Sequence, residues 1–213
     1  VTLAGSGIED WADIKDKTVF TGPPAGSASA TSEALIKIIT GYVAGKDYTA
    51  VRLSWGEGYA ALADGKIDMM VRPAEIGSAN IERFGLSGEF RVLSIPEDKV
   101  VSEEMQALFG RPGRGMLQFD GGVYKGQLTA GEITALGFTQ FVGTHSGVSE
   151  DVVYDATKAF WENLDDVHAT AFFLKEVTQE SAFTSVNVPL HPGALRYYEE
   201  AGFDVPDELR PGS

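Results

Sequence analysis

Apolar residues along the chain follow two alternating patterns. Compact runs rich in Val, Ile, Phe and Leu predict β-strands, and apolar residues that recur every three or four positions predict amphipathic helices. Strands are predicted at Thr18–Phe20, Val51–Trp55, Ile67–Val71, Phe90–Ile95 and Ile133–Val142. Helices are predicted between them at Ser27–Thr40, Gly56–Ala63, Gly77–Phe84 and Ser102–Phe109. This alternation is typical of an α/β protein with a largely parallel sheet.

The pattern changes near Gly143. Beyond it the apolar spacing is almost entirely helical, with one helix predicted from Ser149 and the last from Pro192. A domain boundary is therefore predicted within Thr134–Ser146, where several glycines offer flexible points.

The loop between the first predicted strand and its helix has the composition of an anion-binding turn. Gly26, Ser27, Ala28 and Ser29 stand where a helix leaves its first N–H groups unpaired, at the positive end of the helix dipole. It is not a P-loop, because no Lys-Ser or Lys-Thr follows the glycine, and the GxGxxG of dinucleotide-binding loops is absent. The alternative is that Ser27 or Ser29 only caps the helix.

Composition narrows the classes of function. With 31 acidic and 17 basic residues the formal net charge is −14, which argues against nucleic acid and anionic membrane surfaces, because both attract clustered Lys and Arg. The sequence contains no cysteine, so it excludes disulfides and thiolate chemistry. No apolar run approaches the ~20 residues of a membrane-spanning helix. An anion site in this chain must therefore be built locally, from helix termini and an arginine.

The sequence offers no recognisable catalytic or metal-binding set. Its histidines, His145, His168 and His191, fall in separate predicted elements, and the motifs HExxH and GxSxG are absent. We therefore expect no metal, no other cofactor and no enzymatic activity.

Six segments together resemble the TAXI family, the solute receptors of tripartite, TRAP-type transporters. The segments are IEDWADIKDKTVFTGPPAGSASATSEALI, YAALADGKIDMMV, FRVLSIPED, GGVYKGQ, SEDVVYDATKAFWEN and LHPGALRYYEEAG. They occur in the family's order and cover nearly the whole chain. The chain departs from the family pattern at Arg72-Pro73-Ala74-Glu75, where the family has a glycine- and proline-rich stretch, and at Ala28, where the family has glycine.

This resemblance implies the type II periplasmic-binding-protein fold, with two lobes joined by a hinge. Residues 1–7 would be a hinge and a remnant of the first lobe, residues 8–135 the α/β ligand-binding lobe (domain II), and residues 136–213 the mostly helical C-terminal part of domain I. Family members carry an additional N-terminal part before the position of Val1, so the second lobe is expected to be incomplete here. The apolar residues Val152, Ala156, Phe160, Phe172 and Phe173 would then be exposed and would favour association.

The resemblance also implies a function. The chain would be a periplasmic, or otherwise extracytoplasmic, solute-binding protein that captures a small organic anion, such as glutamate or a related carboxylate, in an interlobe cleft. Its partners would be the membrane permease subunits of the transporter, and no nucleic acid. Two alternatives stay open on the same fold: the effector-sensing domain of a transcription regulator, and a pyrimidine-synthase-like enzyme.

Four more residues are candidate ligand contacts beside the Gly26–Ser29 loop. Arg72 follows a predicted strand, where open α/β sheets bind ligands, and its guanidinium suits a carboxylate; the alternative is a pairing with Glu75. Trp55 and Gly56 end another predicted strand, and Trp55 either walls the ligand or belongs to the core. Tyr124 either closes the site with its hydroxyl or pins its own turn.

Overall fold

The computed structural model describes residues 1–170, 172–184 and 186–212, without the side chains of Phe172 and Phe173. Within this part the chain forms seven strands and eight α-helices. The strands are β1 (Thr2–Leu3), β2 (Thr18–Phe20), β3 (Thr49–Val51), β4 (Met69–Met70), β5 (Phe90–Arg91), β6 (Arg114–Asp120) and β7 (Glu132–Phe138). The helices are α1 (Ala28–Thr40), α2 (Trp55–Ala63), α3 (Ala79–Ser87), α4 (Glu97–Val100), α5 (Glu103–Phe109), α6 (Glu150–Glu162), α7 (Leu164–Thr170) and α8 (Pro192–Glu200).

Five strands form one sheet in the order β3-β2-β4-β1-β5. β2 runs parallel to both β3 and β4, whereas β1 runs antiparallel to β4 and β5. Four strands of this sheet therefore share one direction, as the alternating pattern predicts. β1 was not predicted, because a strand of two residues is too short to show a period. β6 and β7 form a separate two-stranded sheet. The α/β fold class is confirmed.

The central strands place successive side chains on opposite faces of the sheet. Val19 of β2 and Met69 of β4 belong to one buried cluster, which α1 and α5 cover. Phe20 and Met70, the next residue in each strand, belong to a second buried cluster, which α2 and α3 cover. Because both faces are covered, successive residues of these strands are apolar, as in Val19–Phe20 and Met69–Met70.

The chain folds into two compact units. Unit 1 comprises Val1–Phe109 and Met116–Gly137, and unit 2 comprises Gly110–Gly115 and the chain from Phe138 onwards. Unit 1 contains the five-stranded sheet, including β1 at its residues Thr2–Leu3. The assignment of residues 1–7 to a hinge, and of the later segments to named lobes, stays a prediction.

Unit 2 is built around a close contact between α6 and α8. A Cβ atom on Gly193 would lie 2.1 Å from the Glu150 carbonyl oxygen and 2.8 Å from the Tyr154 nitrogen, so the two backbones meet at this glycine. Edge-to-face aromatic pairs lie beside the contact and involve Trp161, Phe183, Tyr198 and Phe203.

The outer side of α6 carries exposed apolar residues. Val152 is 59% exposed and Phe160 is 37% exposed, and Ala156 is also exposed. The side chains of Phe172 and Phe173, the other members of the predicted apolar patch, lie outside the described residues. Association through this surface stays a prediction. None of the described helices combines the length and the apolar character that a bilayer-crossing segment requires.

Candidate ligand-binding site

The topology of unit 1 identifies one edge of its sheet as a ligand position. The chain leaves β2 through α1 to reach β3 on one side, and then returns through α2 to β4 on the other side of β2. In open α/β sheets, ligands bind outside the carboxyl ends of the strands at such a switch point. β2 and β4 are neighbouring strands here, and the Val71 N–H donates to the Phe20 carbonyl at 2.9 Å. The loops that follow these two strands therefore leave the sheet side by side.

The loop after β2 reverses sharply into α1. Gly22 has a φ of +132°, and a Cβ there would lie 3.1 Å from the backbone nitrogen of Ser29, so this position requires glycine. The hydroxyl of Ser29, which is 6% exposed, donates to the Pro23 carbonyl at 2.7 Å. Ser29 thus fastens the loop to the first turn of the helix, and its hydroxyl is engaged.

The N-terminus of α1 is open. Ser27 is exposed, and within the described residues its side chain makes no capping hydrogen bond to the helix. Gly26, with a φ of +98°, is also exposed, and Ala28 is half-buried. The first N–H groups of this 13-residue helix therefore have no cap from Ser27, and a helix end in that state favours an anion.

Arg72, two residues after β4, lies over two aromatic rings of α2. Its guanidinium carbon is 4.7 Å from the centre of the Tyr59 ring and 5.5 Å from that of Trp55, within the range of a cation–π contact. Its Nε donates to the Pro73 carbonyl at 2.5 Å. The Trp55 ring in turn packs edge-to-face on Phe20, with their centres 5.6 Å apart.

Arg72 has no acidic side chain close enough for an ion pair in the described part of the chain. Among the described residues it makes no ion pair within 4.0 Å, so the proposed alternative of a direct pairing with Glu75 is not observed. Burial lowers the pKa of the Arg72 guanidinium, and the Glu75 charge partly opposes that effect. A half-buried cation without an ion-pair partner is costly to maintain and favours the binding of an anion.

Tyr124 is buried and holds the loop after β4 in place. Its hydroxyl accepts hydrogen bonds from the N–H groups of Gly77 at 3.0 Å and Ser78 at 3.3 Å, and it donates to the Glu75 carbonyl at 3.1 Å. Burial raises the pKa of Tyr124. The hydroxyl of Tyr124 does not pin its own turn, which was one of the two predicted roles, but holds a turn more than forty residues away in sequence. The other predicted role, closing the site on a ligand, stays a prediction.

Trp55 and Gly56 open α2 rather than ending a strand. β3 ends at Val51, and Ser54 begins the helix as its N-cap. The Ser54 hydroxyl accepts from the Glu57 N–H, and the Glu57 carboxylate accepts from the Ser54 N–H at 2.9 Å. The strand predicted at Val51–Trp55 was placed too late in the chain, because β3 occupies Thr49–Val51 and a capping box turns the chain into a helix before Trp55.

The structure therefore brings most of the predicted site residues to one edge of unit 1, at the ends of β2 and β4. Sequence reasoning missed Tyr59 and the Ser54–Glu57 cap. Both had a local signal, because Tyr59 lies one helical turn from Trp55 and Ser-x-x-Glu is the pattern of a capping box. The described residues contain no group of three or more His, Cys, Asp and Glu side chains that would hold a metal ion.

A recess of about 520 Å³ lies elsewhere on unit 1 and contains none of these residues. Trp11 and Tyr42 line it, together with the acids Glu9 and Asp10. Both acids are engaged, because Glu9 pairs with Arg91 at 3.1 Å and Asp10 caps the short helix that follows it. The ends of β2 and β4 remain the better candidate for a polar ligand.

The chain belongs to the NMT1-like family, whose model matches residues 1–202. This is a family of periplasmic-binding-like proteins, which bind small solutes for membrane transport. The resemblance inferred from the sequence is thus correct at the level of solute-binding proteins with a periplasmic-binding-like fold. The narrower assignment to the TAXI family is a proposal, as is the ligand.

Proposed function

We propose that this chain is the solute-binding subunit of a TRAP-type transporter of the TAXI kind, and that it captures a small organic carboxylate such as glutamate. It acts outside the cytoplasm and passes the solute to permease subunits in the membrane. Its role is binding, without bond-making chemistry. The family supports the general class, and the six sequence segments support the narrower one.

One observation carries the proposed ligand class. Arg72 has no ion-pair partner in the described part of the chain, although the sequence contains 31 acidic residues. Its guanidinium is held over Tyr59 and Trp55 after β4, and the paired strand β2 leads into the open N-terminus of α1. A carboxylate satisfies both features, because it accepts a forked hydrogen bond from arginine and is attracted by a helix N-terminus.

Calorimetric titration of the full chain with carboxylic acids and their matching amides tests the ligand class. We expect at least one acid to bind about tenfold or more tightly than its amide, since charge-assisted hydrogen bonds contribute about 1.5–3 kcal/mol. Arg72→Gln should remove this preference. If the variant binds the acid as tightly as the parent chain does, Arg72 is not the anion contact.

The transporter class needs a separate test. Cells that carry TRAP-type permease subunits should take up the bound acid only when this chain is supplied. Uptake that works with the permease subunits of an unrelated transporter class, and not with these, would contradict the TAXI assignment while leaving the solute-binding function intact.

A further inference from the structure

Tyr59 contacts both the Arg72 guanidinium and the buried core of unit 1. The guanidinium carbon is 4.7 Å from the centre of the Tyr59 ring. The same ring is stacked on that of Phe84, with their centres 5.7 Å apart and their planes 26° apart. Phe84 is 5% exposed and belongs to the buried cluster that α2 and α3 cover. Two aromatic rings thus connect the cation to the core.

The hydroxyl of Tyr59 does not explain why a tyrosine stands at this position. Its oxygen is buried and has no hydrogen-bond partner in the described part of the chain. Buried hydroxyls normally have a partner, and one that lacks it reduces stability. The favourable contacts of this side chain are therefore those of its ring, with Arg72 and with Phe84.

An aromatic ring holds a cation without neutralising it. A carboxylate that held Arg72 would accept hydrogen bonds from the guanidinium and cancel its charge. A ring attracts the cation through its quadrupole and brings no negative charge of its own. This difference matters in a chain with 31 acidic residues, of which Glu75 is only three positions further along the same loop.

We propose that Tyr59 is the positioning residue for Arg72, and that its ring keeps the guanidinium from pairing with an acid of the chain, so that the fork stays available to the carboxylate of the solute. Trp55 supplies the second ring, at 5.5 Å. The inference rests on the proposed function, because it takes Arg72 as the carboxylate contact. It adds that affinity for an acid depends on the π electrons of residue 59, which act through Arg72.

The first experiment varies the electrons of the ring and keeps its shape. In the full chain, Tyr59 is replaced by phenylalanine and by phenylalanines that carry one, two and five ring fluorines, which progressively weaken the attraction of the ring for a cation. Affinity for L-glutamate, measured by calorimetry, should fall by about threefold to tenfold over the series. Affinity for its diamide should stay the same, because the amide has no charge for Arg72 to bind.

Two outcomes of this series would overturn the inference. One is an equal affinity for L-glutamate across the series. The other is a loss of about tenfold or more in Tyr59→Phe itself, which would make the hydroxyl, and not the ring, the important group. In either case the proposed function stands if Arg72→Gln removes the preference for the acid over its amide, and it fails as well if Arg72→Gln keeps that preference.

The second experiment tests whether the ring protects Arg72 from the acid nearest to it in sequence. Tyr59→Leu should lower affinity for L-glutamate by about threefold to tenfold. Adding Glu75→Gln should restore part of that loss, and the same substitution should have a smaller effect in the parent chain. The difference between the two effects is the coupling between Tyr59 and Glu75. A ring that only filled space would show no such coupling.

Two matched controls belong to this experiment. Tyr42→Leu removes a ring of the same unit that lies away from the loop, and it should leave affinity for L-glutamate unchanged. Glu89→Gln removes an exposed acid of that unit, and it should restore nothing in the Tyr59→Leu chain. Recovery by Glu89→Gln equal to that by Glu75→Gln would overturn the inference, since net charge would then be the cause. Equal losses for acid and amide in Tyr59→Leu would also overturn it.

Discussion

The N-termini of α1 and α2 have similar surroundings in the sequence, but they are capped differently. Both helices follow a parallel strand of the same sheet, and both have a serine at the N-cap. In α2 the cap is complete, because Ser54 and Glu57 exchange side-chain and backbone hydrogen bonds. In α1 Ser27 makes no such bond in the described structure, and the third helical residue is Ala30 instead of a glutamate.

This difference separates a structural helix end from one that is available to a ligand. The Glu57 carboxylate already occupies the positive end of α2, as an internal anion. The corresponding position of α1 has no acid, and α1 follows β2, the strand paired with the β4 strand that precedes Arg72. In a chain with net charge −14, leaving one helix end without its own acid, next to an unpaired arginine, favours an anionic group from outside.

The largest expected effect comes from giving α1 an acid of its own. Ser27→Glu should abolish binding of the carboxylate ligand, a loss of about a hundredfold or more, through steric overlap and repulsion between like charges. Ser27→Ala should bind nearly as well as the parent, because the helix N–H groups remain. Calorimetry with the cognate acid decides the matter. Unchanged affinity in Ser27→Glu would move the site away from α1.

The next effect concerns the arginine beside α1. Arg72→Ala should weaken binding by roughly tenfold to a hundredfold, because a charge-assisted contact is lost. Arg72→Lys keeps the charge and loses the fork, so its affinity should fall between those of the parent and the alanine variant. Titration of each variant with an acid and its amide separates charge from shape. A lysine variant as weak as alanine would show that the planar fork is essential.

A smaller effect is expected from the support behind Arg72. Tyr124→Phe removes the hydroxyl that holds Glu75, Gly77 and Ser78. We expect a loss of about 1–3 kcal/mol in the free energy of unfolding, because these backbone groups lose a partner. Affinity should fall by about threefold to tenfold as the loop loosens.

Tyr42→Phe is the control for this variant. The Tyr42 hydroxyl also donates to a backbone carbonyl, that of Ala12 at 3.3 Å, but at an exposed position away from the loop. Its removal should leave ligand affinity unchanged. If Tyr124→Phe lowers the free energy of unfolding and leaves affinity unchanged, the loop does not depend on Tyr124 for its binding geometry.

The features that the sequence predicted are those with local causes. The helix predicted at Ser27–Thr40 is present and begins one residue later, at Ala28. It could be predicted because the strand, the Gly/Pro/Ser loop and the apolar face of the helix are contiguous in the sequence. The strand predicted at Ile67–Val71 is shorter in the structure, at Met69–Met70, because sheet pairing, and not apolarity alone, defines a strand. Ile67 and Val71, near its two ends, are apolar because they are buried or half-buried.

The features that the sequence could not predict depend on contacts between distant segments. Arg72 meets Tyr59 only because α2 packs beside the end of β4, and local periodicity carries no information about that packing. Tyr124 is 47 residues from Gly77, whose N–H it accepts. The antiparallel strand β1 depends on its neighbours β4 and β5, since two residues have no period of their own. The arrangement of the site residues could therefore be seen only in the folded structure and not in the sequence.

The smallest expected effect concerns the completed end of α2. Hydrogen bonds from the Ser54 side chain and then its backbone lower the pKa of Glu57 in the folded chain. Because the folded pKa lies below the unfolded one, this contribution to stability is present above the ordinary glutamate range near pH ~4.3 and is lost as the pH falls through the folded pKa. Glu57→Gln should therefore lower the free energy of unfolding at neutral pH, and the difference from the parent should shrink under acid conditions. Urea unfolding of both chains at neutral and acid pH measures this difference.

Ligand affinity at neutral pH should stay the same in Glu57→Gln, because the carboxylate of Glu57 caps α2 and takes no part in binding. If the difference in the free energy of unfolding between the parent and Glu57→Gln stays constant with pH, the Glu57 charge does not stabilise the cap.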